Sequence, residues 1–345
     1  MKTKINIALV GCGRISINHF QAIDYFKNKI NLVAVCDNDL IKVNNLSKEL
    51  NLPAYTSLQK MINNHNLDLV VLCTPSGLHC KHSLIAFKNK INVLTEKPMA
   101  TNLKDAIMMN KMAKKNKVKL FVVKQNRYNP TLQVLKKAID HNRFGKIYLI
   151  IVNVLWNRDQ KYYNSAAWRG TKKLDGGALM NQSSHYVDLI TWLIGPVDYV
   201  HSINRTLNRK IEVEDTSILN IQFKSGALCS FSTTMLTYKK NYEGSILIIG
   251  ENGTVKIGGK AVNQIEKWEF KDTKSYDKKI NNLSYKIDSV YGRGHTLVYE
   301  KIINFFNKQE NFETDGYEGI KSLEIIEAAY VSSKINKPIK LPLVK

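Results

Sequence analysis

The run Asp175-Gly176-Gly177-Ala178-Leu179-Met180-Asn181-Gln182-Ser183-Ser184-His185-Tyr186-Val187-Asp188 sets a carboxamide, an imidazole and a carboxylate close together. Its pattern predicts one helix reaching about Ile194, stopped by Gly195 and Pro196. At about 3.6 residues per turn, Asn181, His185 and Asp188 share a face. Tyr186, Val187, Ile190, Leu193 and Ile194 fall on the other, which suits packing on a sheet. A lone histidine on such a helix would be a solvated surface residue. Here two adjacent glycines open the helix, where backbone can approach a ligand closely. His185 is therefore a candidate acid or base, with a side chain that titrates near neutrality.

The elements that would hold a partner for this helix begin at the N-terminus. Ile5-Asn6-Ile7-Ala8-Leu9-Val10 is an apolar run of buried-strand type, followed by Gly11-Cys12-Gly13-Arg14-Ile15-Ser16 and a helical pattern. This is the dinucleotide fingerprint, with serine at its third glycine. Gly11 makes the tight turn, Gly13 lets backbone approach a diphosphate, and the amides around Arg14 and Ile15 point at it. A second strand, 31–36, ends in Asp37, at the spacing of the ribose-binding acid. A carboxylate there accepts from the ribose diol and repels a 2′-phosphate, which predicts NAD over NADP. Strands at 68–73, 91–95 and 118–123 alternate with helices, so the first region, 1–124, reads as a doubly wound parallel sheet. Thr74-Pro75, Glu96-Lys97-Pro98 and Gln125-Asn126-Arg127 all follow strand ends, the places where such sheets bind ligands. His79-Cys80-Lys81-His82 has no carboxylate at ligand spacing, so no metal site is expected.

Beyond Arg127 the pattern changes. A connecting helix is predicted over 130–141 and a strand over 146–152. Strands with two-residue alternation follow at 197–204, 215–223, 227–234, 245–249, 254–257 and 264–270, with a hairpin turn at Glu251-Asn252-Gly253. Strands in succession without helices predict a large, mainly antiparallel sheet with one open face. The second region, 125–345, is thus an α+β domain, closed by helices at 295–306 and 317–335 and by an extended tail expected to pack back on the first domain. The second face of this sheet is only partly polar, which predicts a dimer or tetramer formed through it.

The chain has 345 residues, 44% hydrophobic and 23% charged, which fits two globular domains. No apolar run is long enough for a membrane helix, and the N-terminus has no leader-like stretch. Five cysteines without a Cys-x-x-Cys pair fit a reducing cytoplasm and exclude a disulfide frame. The formal charge of +22 invites a nucleic-acid reading, but the lysines are spread along the whole chain. The densest run, 111–119, carries no aromatic for base stacking and reads as a solvated helix end.

Taken together, Gly11-Cys12-Gly13-Arg14-Ile15, Glu96-Lys97-Pro98, and Gly176-Gly177 with His185 and Asp188 resemble the Gfo/Idh/MocA oxidoreductases, over essentially the whole chain. Trp168-Arg169-Gly170-Thr171 ahead of the central run resembles one branch of that family, the UDP-N-acetylglucosaminuronate 3-dehydrogenases of bacterial lipopolysaccharide synthesis. The resemblance implies hydride transfer between a sugar carbinol and NAD, with His185 and Lys97 as the acid/base and polarising pair in either order. It also implies cofactor contacts from Thr74, Pro75, His79, Glu96, Lys97, Gln125, Trp168 and Arg169. Substrate contacts are expected from Lys97, Arg127, Tyr163, Arg169, Asn181, Gln182 and His185. Many members carry aspartate where this chain has Asn181. A carboxamide cannot raise the imidazole's basicity, which counts against inositol as substrate. Arg158, Tyr162, Tyr163, Trp168 and Arg169 would suit an anionic, aromatic ligand. Two other classes stay open: a dehydrogenase of another free sugar or polyol, and a non-catalytic NAD-binding sensor, which could lose Lys97 and His185 freely.

Overall fold

The structure, a computed structural model, describes residues 4–286, 294–308 and 310–343. The chain forms two compact units. The first holds the N-terminal residues to Lys124 and regains chain near the C-terminus, including the helix Gly294–Lys308. The sequence had assigned that helix to the second region. It returns because its buried Val298, Tyr299, Ile302 and Ile303 cover the first helix.

Six parallel strands build the first unit: β1 (Ile5–Val10), β2 (Ile30–Cys36), β3 (Ala54–Tyr55), β4 (Leu69–Leu72), β5 (Asn92–Thr95) and β6 (Leu120–Val122), in the order β3-β2-β1-β4-β5-β6. β1 and β4 are buried on both faces, so they read as unbroken apolar runs rather than alternating ones. Helices α1 (Ser16–Tyr25), α2 (Leu40–Leu50), α3 (Leu58–Asn64), α4 (His79–Lys88) and α5 (Leu103–Asn116) connect them. Asp39, Ser57 and Asn102 cap α2, α3 and α5 by accepting from an amide three residues on. The lysines at 111, 114, 115, 117 and 119 are exposed, and Lys114 and Lys115 lie in the last turn of α5, where the helix dipole favours cations.

The second unit carries α6 (Pro130–Asp140), β7 (Ile147–Leu155), α7 (Gln160–Asn164), α8 (Ser184–Ile194), β8 (Val197–Arg205), β9 (Thr216–Phe223), β10 (Leu228–Thr234), β11 (Glu243–Gly250), β12 (Gly253–Gly258) and β13 (Gln264–Phe270). After α9 (Gly294–Lys308) and α10 (Gly316–Ile335), a short β14 (Ile339–Lys340) ends the fold. The sheet order is β13-β12-β11-β7-β10-β9-β8-β14. All its ladders are antiparallel except β7 with β10, so the sheet is mainly antiparallel, as expected. β7 is separated from β10 in sequence by the whole central helix, so the two can run side by side in the same direction. The tail pairs through β14 with β8, at the edge of its own sheet.

β9 shows how the faces are divided. Ser217, Leu219, Ile221 and Phe223 are buried, while Ile218, Asn220 and Gln222 are exposed. Val187, Leu189 and Ile190 of α8 are fully buried in this unit's core.

Candidate active site

In the first unit, the fingerprint loop follows β1. Gly11 has φ +95°, and a Cβ there would run into the Cys73–Thr74 backbone at 2.6 Å, so only glycine fits. A Cβ on Gly13 would meet nothing within 4 Å, which leaves the backbone open to a ligand. Ser16 replaces the third glycine at no cost in space. It is 2% exposed, and its hydroxyl donates to the Gly13 carbonyl at 2.6 Å. No side chain caps the start of α1, where Ser16 N–H donates to Gly13 O at 3.1 Å and Asn18 N–H to Ile15 O at 3.2 Å. Arg14 is exposed and Ile15 half-buried. Asp37 closes the loop: Cys12 N–H donates to Oδ2 at 2.7 Å and Asp39 N–H to Oδ1 at 2.9 Å. Lys42 Nζ lies 3.9 Å from the same carboxylate, a cation the sequence reading overlooked. These residues fit a dinucleotide: an open glycine at the phosphates, a helix start without a side-chain cap and a fixed acid at the ribose position.

Two candidates turn out to be committed inside the unit. Glu96 is 4% exposed, and its Oε1 accepts from His19 Nε2 and His295 Nε2, each at 3.0 Å, while Oε2 accepts the Lys97 amide at 3.1 Å. Its side chain therefore holds Lys97's backbone at the end of β5. Burial pushes this carboxyl up, but the two imidazoles outweigh it and hold it well below the usual range. The Tyr299 hydroxyl sits 2.9 Å from His19 Nδ1, and burial lowers the His19 pKa. A neutral His19 that donates from Nε2 and accepts at Nδ1 satisfies both contacts. His19, Glu96 and His295 could in principle grip an ion, but each imidazole is already at hydrogen-bond distance of the carboxylate. His79 is the second case. It is 1% exposed and spans two carbonyls, with Nδ1 3.0 Å from Pro98 and Nε2 2.8 Å from Thr74. It ties the segment after β4 to the Lys97-Pro98 segment. Thr74, Pro75 and Lys97 are half-buried at their strand ends. The Thr74 hydroxyl also reaches His82 Nδ1 at 3.2 Å.

In the second unit, the central helix is not continuous. A π-helical turn, Ala178–Gln182, precedes α8, so the shared face expected of Asn181 and His185 is broken. Such turns recur at functional sites. Gln125, fully buried in a 3₁₀ turn over Gln125–Tyr128, places its amide nitrogen 3.5 Å from His185 Nε2. His185 is 7% exposed. An amide donor at this edge fits an imidazole whose Nε2 carries a lone pair, the form a proton acceptor needs. Asp188 lies one helical turn beyond His185 on α8. It binds Arg127 bidentately, Nε to Oδ2 at 2.8 Å and Nη2 to Oδ1 at 2.7 Å, with both side chains buried. Arg127, expected at the substrate, thus spends that edge of its guanidinium on α8 and stacks 5.6 Å over Trp192.

The segment ahead of the turn gathers the expected cations. Arg169 Nη1 donates to the Tyr162 hydroxyl at 2.6 Å, and its guanidinium lies over Tyr162 at 4.3 Å and Trp168 at 4.6 Å. Arg158 lies over the same Tyr162 ring at 5.4 Å and donates from Nε to Gln182 Oε1 at 3.1 Å. Gln182 Nε2 returns to the Tyr162 hydroxyl at 3.1 Å. Among the described residues, neither guanidinium is paired with a carboxylate. Asn181 donates to Asp175, which also accepts the Gly170 amide at 2.6 Å. Tyr163 is 7% exposed and packs edge-on against Tyr162, and burial raises its hydroxyl pKa. Sequence reasoning missed Glu214. Its buried carboxylate accepts the Leu179 amide at 2.9 Å, and burial pushes it up to about 7. Gly177 beside it was the available signal.

Comparison with known proteins assigns both regions of the chain to one family. Residues 5–124 match the profile "Oxidoreductase family, NAD-binding Rossmann fold" and residues 136–341 match "Oxidoreductase family, C-terminal alpha/beta domain". A WlbA dehydrogenase from Chromobacterium violaceum, crystallised with NADH and UDP-GlcNAcA, is 47% identical with a TM-score of 0.96, covering 100% of this chain and 98% of that one. Its counterpart from Bordetella pertussis, in complex with the same two molecules, is 46% identical with a TM-score of 0.96, covering 99% and 98%. The myo-inositol 2-dehydrogenase of Thermotoga maritima is 24% identical over 258 residues, 73% of this chain and 74% of that protein. With an NAD-type cradle in one unit, a buried histidine and its amide partner in the other, and both halves of the family profile matched in order, this chain is a member of the Gfo/Idh/MocA oxidoreductases.

Proposed function

We propose that this protein is an NAD-dependent dehydrogenase that oxidises the C3 hydroxyl of UDP-N-acetylglucosaminuronate to the 3-keto sugar. The observation that carries the reading is the pair of guanidiniums, Arg158 and Arg169, sharing the Tyr162 ring and unpaired with any carboxylate among the described residues, in the segment ahead of the Ala178–Gln182 turn. An anionic sugar nucleotide supplies the missing counter-charge. Full-length likeness to two dehydrogenases that bind UDP-GlcNAcA supports it. Bound NAD would act as the two-electron acceptor, held by Gly11, Gly13, the start of α1 and Asp37. His185 takes the hydroxyl proton at Nε2, where the substrate hydroxyl replaces the 3.5 Å contact from the Gln125 amide. Lys97 donates to the substrate oxygen as charge develops on it. Asn181, tied to Asp175, adds no second negative charge beside an already anionic substrate. We place this reaction in the cytoplasmic supply of sugars for lipopolysaccharide. The described helices are not long and apolar enough to cross a membrane.

The test is turnover of UDP-N-acetylglucosaminuronate with NAD, read as NADH formation and as a keto product by mass spectrometry. His185→Asn and Lys97→Met are each expected to lower kcat by roughly 10²-fold while NAD binding persists. Oxidation of myo-inositol or free glucose in preference to the nucleotide sugar would replace this reading with a polyol dehydrogenase. NAD binding without turnover of either class would point to a sensor.

A further inference from the structure

We propose that Glu214, with Tyr330 behind it, is a positioning residue for the reaction: it fixes the Ala178–Gln182 turn and through it the setting of His185. The inference rests on the proposed role of His185. A π-helical turn leaves its leading amides without partners inside the turn. Glu214 supplies both acceptors. Its backbone carbonyl takes Ala178 N–H at 2.9 Å, and its Oε1 takes Leu179 N–H at 2.9 Å. The Tyr330 hydroxyl, from α10, donates to the same Oε1 at 3.1 Å. Gly177 is what admits the carboxylate, since a Cβ there would overlap it. Gly176 has φ +79°, and a Cβ on it would overlap the Met180 side chain, so the Gly-Gly pair answers two separate demands of one turn.

From this anchor the bonds run on to the catalytic helix. Asn181 N–H donates to Gly177 O and Ser183 N–H to Ala178 O, both at 2.9 Å. The Ser183 hydroxyl meets Thr233 at 2.6 Å, and Ser183 O accepts from Tyr186 and Val187 at 2.9 and 3.1 Å. His185 lies inside this last loop of bonds. A glutamate in a connecting segment is ordinarily solvated, yet Glu214 is only 7% exposed. Its neighbour Asp215 is spent elsewhere, on the amides of Leu207, Asn208 and Arg209, at 2.9 Å each. The carboxylate of Glu214 thus serves the turn alone.

Three variants test this. Glu214→Ala removes the acceptor, Glu214→Gln keeps one on a neutral side chain, and Tyr330→Phe removes only the backing hydroxyl. Each is assayed for kcat, for the KM of NAD and of the nucleotide sugar, and for hydrogen exchange at the Ala178 and Leu179 amides. The expected result is a kcat roughly 10²-fold lower in Glu214→Ala, as a small misplacement of a reacting group produces, with the KM for NAD unchanged. Glu214→Gln should restore most of that loss, which a mere loss of bulk stability would not predict. Tyr330→Phe should lie between, and covers the case in which Glu214→Ala does not fold. Unchanged kcat together with unchanged amide exchange in Glu214→Ala or Tyr330→Phe overturns the proposal. If the unaltered enzyme does not turn over the nucleotide sugar, the substrate reading has failed, and amide exchange still decides whether Glu214 sets the turn.

Discussion

Asp37 carries two tasks in one carboxylate. It ties the Cys12 and Asp39 amides together and, in the proposed complex, receives the adenosine ribose. Lys42, at 3.9 Å, makes the balance with a phosphate finer than the acid alone implies. Asp37→Ser should raise the KM for NAD by roughly 10- to 100-fold, the loss of hydrogen bonds to a charged group. It should narrow the preference over NADP further, because Lys42 would then face a 2′-phosphate without competition. Comparing kcat/KM for both cofactors checks this, and equal use of both by the unaltered protein would end the assignment. At this scale the sequence discloses what depends on neighbours in the chain. Gly11, Gly13 and Ser16 can be read because a tight turn and a close approach are local demands. Glu96 cannot, since its partners His19 and His295 lie 77 and 199 residues away. Arg127 and Asp188 were each visible as charges, but their pairing, 61 residues apart, was not.

Among the elements, the π-helical turn before α8 is the informative departure. Periodicity alone extends a helix from Gly177 to Ile194, because Asn181 to His185 to Asp188 is a valid helical spacing. What breaks it is a buried carboxylate 35 residues ahead in the chain, which takes the Leu179 amide. That arrangement has a signature in pH. Glu214 titrates at about 7 in the folded chain against an ordinary 4.5, chiefly because it is buried. The folded state therefore binds its proton more tightly than the unfolded one. The associated stability is fully present below the unfolded value and is lost as pH rises through the folded one, by about 3 kcal/mol in total. Chemical denaturation between pH 5 and pH 8 should show this decline, in about that pH window, and Glu214→Gln should flatten it. An identical slope in that variant would assign the titration to another group. The strands were easier to read than this turn. β9 alternates cleanly, while the parallel pairing of β7 with β10 is not legible, because strand direction is not written in a strand's own pattern.

Over the whole molecule, the outward face of the second sheet is the feature that needs covering. Ile203 and Ile218 are cross-strand partners there, 48% and 51% exposed, and Leu228 on β10 is 53% exposed. We expect two copies to bury these faces against each other. Sedimentation should give a dimer or tetramer, and Ile218→Glu combined with Leu228→Glu should shift it toward monomer while leaving the fold intact by circular dichroism. A monomer at micromolar concentration in the unaltered protein would refute the expectation.

The return of α9 to the first unit has a consequence for how the chain is made. A ribosome releases this protein from Met1 onward, so Glu96 emerges long before the His295 that donates to it. Until then one of its two imidazole donors is missing, and the α1 face that α9 covers stays wet. The cofactor unit can nucleate early but cannot be finished until nearly all of the second unit has left the exit tunnel. A nascent chain stalled anywhere in between carries an open apolar flank, and that flank is where a holding chaperone would dwell.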